Sequence, residues 1–119
     1  MNDEPRGPQA SRLRQRKFQL LRRFPIPADL LPGALTRSHT RCGNPRCHCV
    51  RNQGHEAWTL TFTVRGQRHV ERIPRDWVGA VRRRVEAGRE FQDAVREVLA
   101  ANAQLLVLAR RQRKRRKRR

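Results

Sequence analysis

Three cysteines and one histidine lie close together near the middle of the chain. Cys42, Cys47 and Cys49 fall within eight residues, and His55 follows six positions after the last of them. No other cysteine occurs in the sequence. Zinc binds four ligands tetrahedrally, from thiolate sulfur and imidazole nitrogen, and a structural site takes all four from the protein. The set therefore predicts a structural Zn²⁺ site with Cys42, Cys47, Cys49 and His55 as its ligands.

The spacing of these residues leaves other interpretations open. Cys-x4-Cys-x-Cys differs from the Cys-x2-Cys pairs of the familiar zinc motifs. Three cysteines also allow one disulfide with a leftover thiol, or a single reactive cysteine. His39 is the main rival to His55 as the fourth ligand, whereas His48 lies between two proposed ligands and would have to point away from the ion. Gly43 and Gly54 would let the loop bend back toward the ion, because glycine reaches positive φ without a steric penalty.

Positive charge dominates the composition. The formal net charge is +19, and the charged fraction of 33% nearly equals the hydrophobic fraction of 36%. The last ten residues carry nine positive charges, so the rest of the chain retains +19 − 9 = +10. An excess of this size is typical of proteins that bind a polyanion, and we expect nucleic acid, either DNA or RNA, as the partner. The apolar material is thin, which is a further reason to expect a stabilising metal ion.

The candidate phosphate-binding residues fall into three groups: an N-terminal helix, the cysteine loop and the C-terminal tail. Contacts to phosphate give strongly salt-dependent binding that reads little sequence. Contacts to base edges would have to come from the cysteine loop, where Arg41, Arg46, Arg51, Asn52 and Gln53 are the candidates. The predicted nucleic-acid-binding residues are Arg12, Arg14, Arg16, Arg41, Arg46, Arg51, Arg110, Arg111, Arg113, Lys114, Arg115, Arg116, Lys117, Arg118 and Arg119.

Alternating hydrophobicity predicts a small antiparallel sheet around the cysteine loop. Residues 34–40 are predicted to form a strand that leads into the loop, and residues 56–65 form a second strand with apolar residues and threonines on opposite sides. A tight turn with Gly66 at its first central position, as in a type II′ loop, leads to a third strand at residues 69–73. The prediction is a three-stranded meander with the cysteine loop between the first two strands.

Helices are predicted before and after the sheet. Residues 11–24 show a basic amphipathic pattern with Ser11 as its cap. From Pro74 an apolar stripe continues in phase across Gly88 to about Arg110, which favours one long helix, with a bend or a break at the glycine as the alternative. The apolar end of this helix has to pack against the N-terminal helix or another molecule, so we expect a homodimer or a protein partner there.

The predicted fold class is α+β, in four segments. Residues 1–10 are expected to be disordered, and residues 11–24 form the basic amphipathic helix. Residues 33–109 form a domain of zinc loop, sheet and helix. Residues 110–119 are predicted to be a disordered Arg/Lys tail, because blocks of like charge repel one another.

The sequence favours an accessory protein over an enzyme. No paired carboxylates stand near the histidines, and no phosphate-cradling glycine loop is present. A small metal-dependent nuclease that uses Glu56 or Glu71 with His55 and His69 is the enzyme alternative. A protein-interaction or dimerisation module with a basic surface is the other. No apolar run approaches the roughly 20 residues that span a bilayer, and no signal peptide is visible. We therefore expect a cytoplasmic protein without a membrane partner, associated with the nucleoid if it is bacterial.

Several motifs resemble those of a group of small, uncharacterised bacterial proteins. The motifs are Gly33-Ala34-Leu35, Cys42-Gly43-x-Pro45-x-Cys47-x-Cys49, Gly54-His55 and Trp58-x-Leu60-Thr61. The group is known as a domain of unknown function and is sometimes described as transposon- or transposase-associated. The resemblance covers roughly residues 31–109 and implies a short sheet with a cysteine loop followed by helix. It implies no established activity, and the Arg/Lys tail departs from the pattern.

Overall fold

The computed structural model describes residues 5–52 and 54–118. Its elements are helix α1 (Pro8–Arg23), strands β1 (Ala34–Thr40), β2 (His55–Val64) and β3 (Gln67–Ile73), and helix α2 (Val78–Arg118). Single turns of 3-10 helix occupy His48–Arg51 and Arg75–Trp77. The α+β class that the sequence predicts is confirmed.

The three strands form one antiparallel sheet in the order β1-β2-β3, the predicted meander. The register of β1 and β2 runs from Ala34 opposite Thr61 to Thr40 opposite His55. The loop that carries the cysteines therefore leaves and re-enters the sheet at neighbouring positions. The pairing of Thr40 with His55 holds the two ends of the loop next to each other.

The turn between β2 and β3 differs from the predicted type. Its central residues are Arg65 and Gly66, and both have positive φ, 51° and 81°. Two positive φ angles in succession are the property of a type I′ turn, whose twist matches that of the flanking strands. Gly66 thus occupies the second central position, not the first as predicted for a type II′ turn. The resulting register places Glu71 opposite Leu60, on the side of the sheet that α2 covers.

The core lies between one face of the sheet and the first turns of α2. Leu60, Val81 and Val85 are buried at its centre. Burying a side chain of this kind contributes about 1.5–3 kcal/mol relative to exposure. Five apolar residues in all are buried in the described part of the chain, and one of them is Cys49. A core this small gives little stability, which makes additional constraints necessary. Partly buried residues pack around the centre, namely Leu31, Leu35, Phe62, Ile73 and Trp77.

Helix α2 is continuous, and at 41 residues it is about 60 Å long. It runs to Arg118 instead of ending near Arg110, because arginine and lysine are good helix formers and no glycine or proline follows Gly88. Residues 110–118 are therefore helical where the sequence predicts disorder, and Arg119 lies outside the described residues. The buried residues of α2 all precede Phe91, and the large apolar residues of its second half are exposed. No helix in the described ranges has the length and apolar character that crossing a membrane requires.

Helix α1 begins three residues before the predicted start. Gly7 precedes its first turn, and Pro8 suits that turn because a proline lacks the N–H that would have no partner there. The helix ends at Arg23, one residue before the predicted end. It buries no residue, so it does not cover the apolar end of α2. The disorder predicted for residues 1–4 falls outside the described residues.

A tight contact between α2 and the connector that precedes β1 explains the glycine in the middle of the helix. The Leu31 N–H donates to the Arg84 carbonyl at 3.1 Å, and the Arg84 Nε donates to the Asp29 carbonyl at 2.6 Å. Gly88 lies one turn further along, and a Cβ there would collide with the Leu31 carbonyl oxygen. Gly88 therefore permits close packing and does not bend the helix.

This contact predicts the effect of two alanine substitutions in one helix. Gly88→Ala should destabilise the protein by about 1–3 kcal/mol, because the new methyl group forces the connector away. Gly79→Ala is the control: its Cβ would meet only the Arg83 guanidinium, at 3.8 Å. That variant should be neutral or more stable by about 0.5–1 kcal/mol, as expected for alanine in a helix. Denaturant unfolding followed by circular dichroism measures both. Equal stability of the two variants would contradict the close contact.

Candidate metal centre

Hydrogen bonds close the base of the cysteine loop. The Arg41 guanidinium donates to the Asn52 carbonyl from Nε at 3.3 Å and from Nη2 at 3.1 Å. The Asn52 side chain accepts the Gly54 N–H at 2.8 Å. Gly54 has a φ of 102°, and a Cβ there would press on the Thr40 carbonyl group. The end of the loop is thus fixed before His55 begins β2.

The tip of the loop is folded by its own backbone. The Asn44 Oδ1 accepts the Arg46 N–H at 3.0 Å, and the Asn44 carbonyl accepts the Cys47 N–H at 3.0 Å. The 3-10 turn His48–Arg51 follows at once and buries Cys49, which is 1% exposed. This is the turn chemistry typical of asparagine next to proline. It directs the second and third cysteines toward the first.

The four predicted ligands come together. One ligand atom from each of Cys42, Cys47, Cys49 and His55 lies within 4.8 Å of the other three. The Cys42 and Cys49 Sγ atoms are 3.5 Å apart, and the Cys47 Sγ is 3.1 Å from the His55 Nε2. A tetrahedral ion with bonds of about 2.3 Å to sulfur and 2.0 Å to nitrogen requires ligand separations of about 3.5–3.8 Å. The Cys42–Cys49 separation matches this spacing and the Cys47–His55 separation is shorter, so the cluster is close enough to hold a metal ion and is consistent with zinc.

The other histidines lie outside this cluster. His39 is on β1 opposite Glu56. His48 is exposed, with its Nδ1 4.0 Å from the Cys47 Sγ, and its ring meets the His55 ring edge-on at a centroid distance of 5.5 Å. All three cysteines are free thiols, so the disulfide alternative is not what the structure contains.

The cluster favours a thiolate at Cys42. The pKa of the Cys42 thiol is lowered from its ordinary value to about 6, most strongly by the backbone N–H of Asn44 and then by hydrogen bonds with the side chains of Cys49, His55 and Cys47. The Cys42 N–H also lowers the pKa of Cys49, but burial and the neighbouring thiols outweigh it, and the pKa of Cys49 is raised. The Cys42 thiolate thus lies next to the sulfur atoms of Cys47 and Cys49, which hydrogen-bond to it. A metal cation would stabilise this arrangement, because metals bind cysteine in its thiolate form.

The predicted nucleic-acid-binding residues lie on three separate elements. Arg12, Arg14 and Arg16 are on α1, and Arg14 donates to the Pro5 carbonyl. In the cysteine loop, Arg41 has a structural role because it closes the loop on Asn52. The basic residues from 110 to 118 occupy the exposed end of α2, and the candidates Gln53 and Arg119 lie outside the described residues. Of the other loop candidates, Arg46 and Arg51 are exposed, and the Asn52 carbonyl accepts from Arg41.

Sequence reasoning missed a group of arginines around Trp58. Arg37 lies opposite Trp58 in the β1–β2 register, and its guanidinium is 5.9 Å from the centre of the indole. Arg82 reaches the same ring from α2, at 5.1 Å. Once β1 and β2 are assigned, the register identifies Arg37. Arg82 could not be identified in this way, because its position depends on how α2 docks.

One family model matches the chain, the domain of unknown function DUF6788, over residues 10–83. The match includes most of α1, the whole sheet, the metal cluster and the start of α2, and it omits the basic end of α2. Its range differs from the predicted one, because it begins before residue 31 and stops well before residue 109. No curated protein and no solved structure matches the chain. Since more than half of the 119 residues match, the chain belongs to the DUF6788 family of domains of unknown function.

Proposed function

We propose that this protein is a nucleic-acid-binding accessory protein that a structural zinc ion stabilises and that binds mainly through phosphates. The observation that carries the proposal is that the chain has too few carboxylates to neutralise its positive charges. The sequence has 29 lysines and arginines against 10 carboxylates. An ion pair in the described part of the chain joins the Arg96 Nη1 to the Asp93 Oδ1 at 3.7 Å, and both side chains are exposed. The unpaired cations are available to a polyanion.

Zinc is the metal that the donor set favours. Three thiolates and one imidazole form a known class of structural zinc site. The site is closed, because Cys42, Cys47, Cys49 and His55 supply all four ligands. Such a site suits the cytoplasm, where thiols stay reduced. Metal binding would add its free energy to a fold with a small core.

A closed site supports an accessory role and not catalysis. A catalytic zinc keeps one position for water or substrate, and four protein ligands leave none. The groups of the nuclease alternative have other contacts: Glu56 accepts the Trp58 indole N–H at 2.7 Å, and His69 stacks on Phe62 at 5.1 Å. A mobile-element context, which the motif resemblance implies, is part of the proposal because accessory DNA-binding proteins act in such systems.

The basic end of α2 is the main surface for phosphates in this proposal. Residues 110–118 carry eight positive charges on a helix that nothing in the described chain covers. Nine residues make two and a half helical turns, so the charges point in all directions. Such a surface attracts either strand of a duplex, or RNA, without reading sequence.

A second function has an observation in its favour. Large apolar side chains are exposed on both helices, including Leu13 and Phe18 on α1 and Leu99, Leu105 and Leu106 on α2, and the last is 72% exposed. Exposed apolar stripes of this kind mark protein interaction sites. A protein-interaction or dimerisation module would use them, with the positive surface as a secondary feature.

The zinc site predicts different outcomes for two neighbouring substitutions. Purified protein should contain one zinc per chain by elemental analysis, and a chelator should lower its melting temperature. Cys49→Ser should remove the metal and most of the folded structure, because small metal domains fold with their ion. His48→Ala should keep the metal and the melting temperature, since His48 lies outside the four ligands. Metal-free protein that melts unchanged with chelator would contradict the site.

Phosphate binding predicts a measurable salt slope. If about six phosphates are contacted, the logarithm of affinity should fall against the logarithm of salt concentration with a slope of about −5. The slope should be the same for unrelated DNA sequences. Replacing Arg115 and Arg116 by glutamine should make the slope shallower by about 2. The matched control, Arg83 and Arg89 to glutamine, removes the same charge from the exposed surface of the same helix and should leave the slope nearly unchanged.

Fluorescence anisotropy with labelled duplexes over a series of salt concentrations provides this measurement. Absence of binding at low ionic strength would refute the nucleic-acid proposal. Association with a partner that does not depend on salt would support the interaction module instead. Zinc content measured on each variant separates loss of binding from loss of the fold.

A further inference from the structure

A cleft of about 590 Å³ lies beside the metal centre, at the end of the sheet. β3 ends at Ile73, which pairs with Trp58, so the first three residues of β2 have no neighbour on the β3 side. The gap is lined by those residues and by the chain that leaves β3. Its volume is within the usual range of sites for small molecules or single groups of a polymer. The lining residues are His55, Glu56, Ala57, Trp58, Arg72, Ile73, Pro74 and Arg75.

Two arginines are among the polar side chains that line this cleft. Arg72 and Arg75 line it directly, and both are exposed. Neither forms an ion pair in the described part of the chain. The one carboxylate in the lining, Glu56, accepts the Trp58 indole N–H at 2.7 Å.

Trp58 brings two further arginines to the same place. The Arg37 guanidinium lies 5.9 Å from the ring centre and the Arg82 guanidinium 5.1 Å from it. A cation held against an indole has less side-chain freedom to lose when it binds an anion. Arginines from β1 and α2 therefore hold the indole that lines the cleft, and Arg72 and Arg75 line the same cleft.

We propose that this cleft binds a phosphodiester group of a nucleic-acid strand, with Arg72 and Arg75 as the donors. The proposal rests on the proposed function and adds a defined short-range site to it. Guanidinium groups match the geometry of phosphate oxygens because they donate two parallel hydrogen bonds. The unpaired edge of β2 adds backbone groups along the same wall.

The metal centre fixes one wall of this cleft. His55 lines the cleft and also supplies the fourth ligand atom of the cluster. An ion held by that imidazole therefore fixes the first residue of β2, which also lines the phosphate site. Chelation should weaken binding at the cleft even when the sheet remains folded.

The test compares two double variants with the same loss of charge. Arg72→Gln with Arg75→Gln removes the cleft donors, whereas Arg65→Gln with Arg68→Gln removes two exposed cations at the opposite end of the same hairpin. Affinity for a fluorescein-labelled oligothymidylate and for a labelled duplex is measured by anisotropy. The affinity of the cleft variant should fall about tenfold or more, because two charge-assisted hydrogen bonds to phosphate are removed. The affinity of the hairpin variant should fall less than about threefold, because only the long-range attraction of two positive charges is removed.

Each outcome of this comparison has one meaning. Equal losses in the two variants, with zinc content and melting temperature unchanged, would overturn the cleft site and leave the proposed function standing. Failure of the unaltered protein to bind either probe at low salt would instead refute the proposed function. A larger loss for oligothymidylate assigns the site to single strands, and a larger loss for duplex assigns it to double strands.

The fluorescence of Trp58 gives an independent readout. The chain has two tryptophans, so Trp77→Phe leaves Trp58 as the sole emitter. Saturating oligothymidylate should shift or quench that emission, because a bound strand displaces the guanidinium groups or water around the ring. Unchanged emission at saturation would overturn the placement of the strand in this cleft.

Discussion

The fold depends on the convergence of four ligand atoms between β1 and β2. Cys42 follows β1 by two residues, and His55 is the first residue of β2, so an ion held by both links the two strands at one end. With five apolar residues buried in the described chain, the hydrophobic contribution is small. Such a cross-link would replace apolar burial that a chain rich in arginine does not supply. This accounts for the only cysteines in the sequence lying in one loop.

The opposite end of the sheet is held by close backbone packing instead of by ligands. Gly33 has a φ of 91° and lies so near the Thr61 carbonyl that any side chain would collide with it. Gly88 makes the corresponding approach to Leu31 from α2. The connector is thus fixed between β2 and α2, and the core forms beneath it. The ligand cluster thus constrains one end of the sheet and close glycine packing constrains the other. Leu60 and its neighbours pack in the middle of the sheet.

Local signals in the sequence were sufficient for the sheet and for the site. Residue types and spacing identified Cys42, Cys47, Cys49 and His55, and alternation identified β1 with both ends correct. The features that the sequence does not predict depend on contacts between distant residues or on weak local preferences. Arg65 adopts a positive φ that arginine rarely takes, which concealed the turn type. The predicted end of α2 is too early, because the helix propensity of arginine and lysine outweighs charge repulsion in the tail. The arginines around Trp58 meet only through strand register and helix docking.

The metal and the positive charge have separate roles in recognition. With zinc bound as we propose, three thiolates and one Zn²⁺ sum to a charge of −1, so the centre itself repels phosphate. Attraction must come from the arginines, over two distances. The end of α2 acts at long range and is screened within about 8 Å at physiological salt. Arg72 and Arg75 act only on contact, in a cleft whose wall includes His55. In this proposal a zinc ion contributes to nucleic-acid binding by fixing His55 in the wall of the cleft and not by its charge.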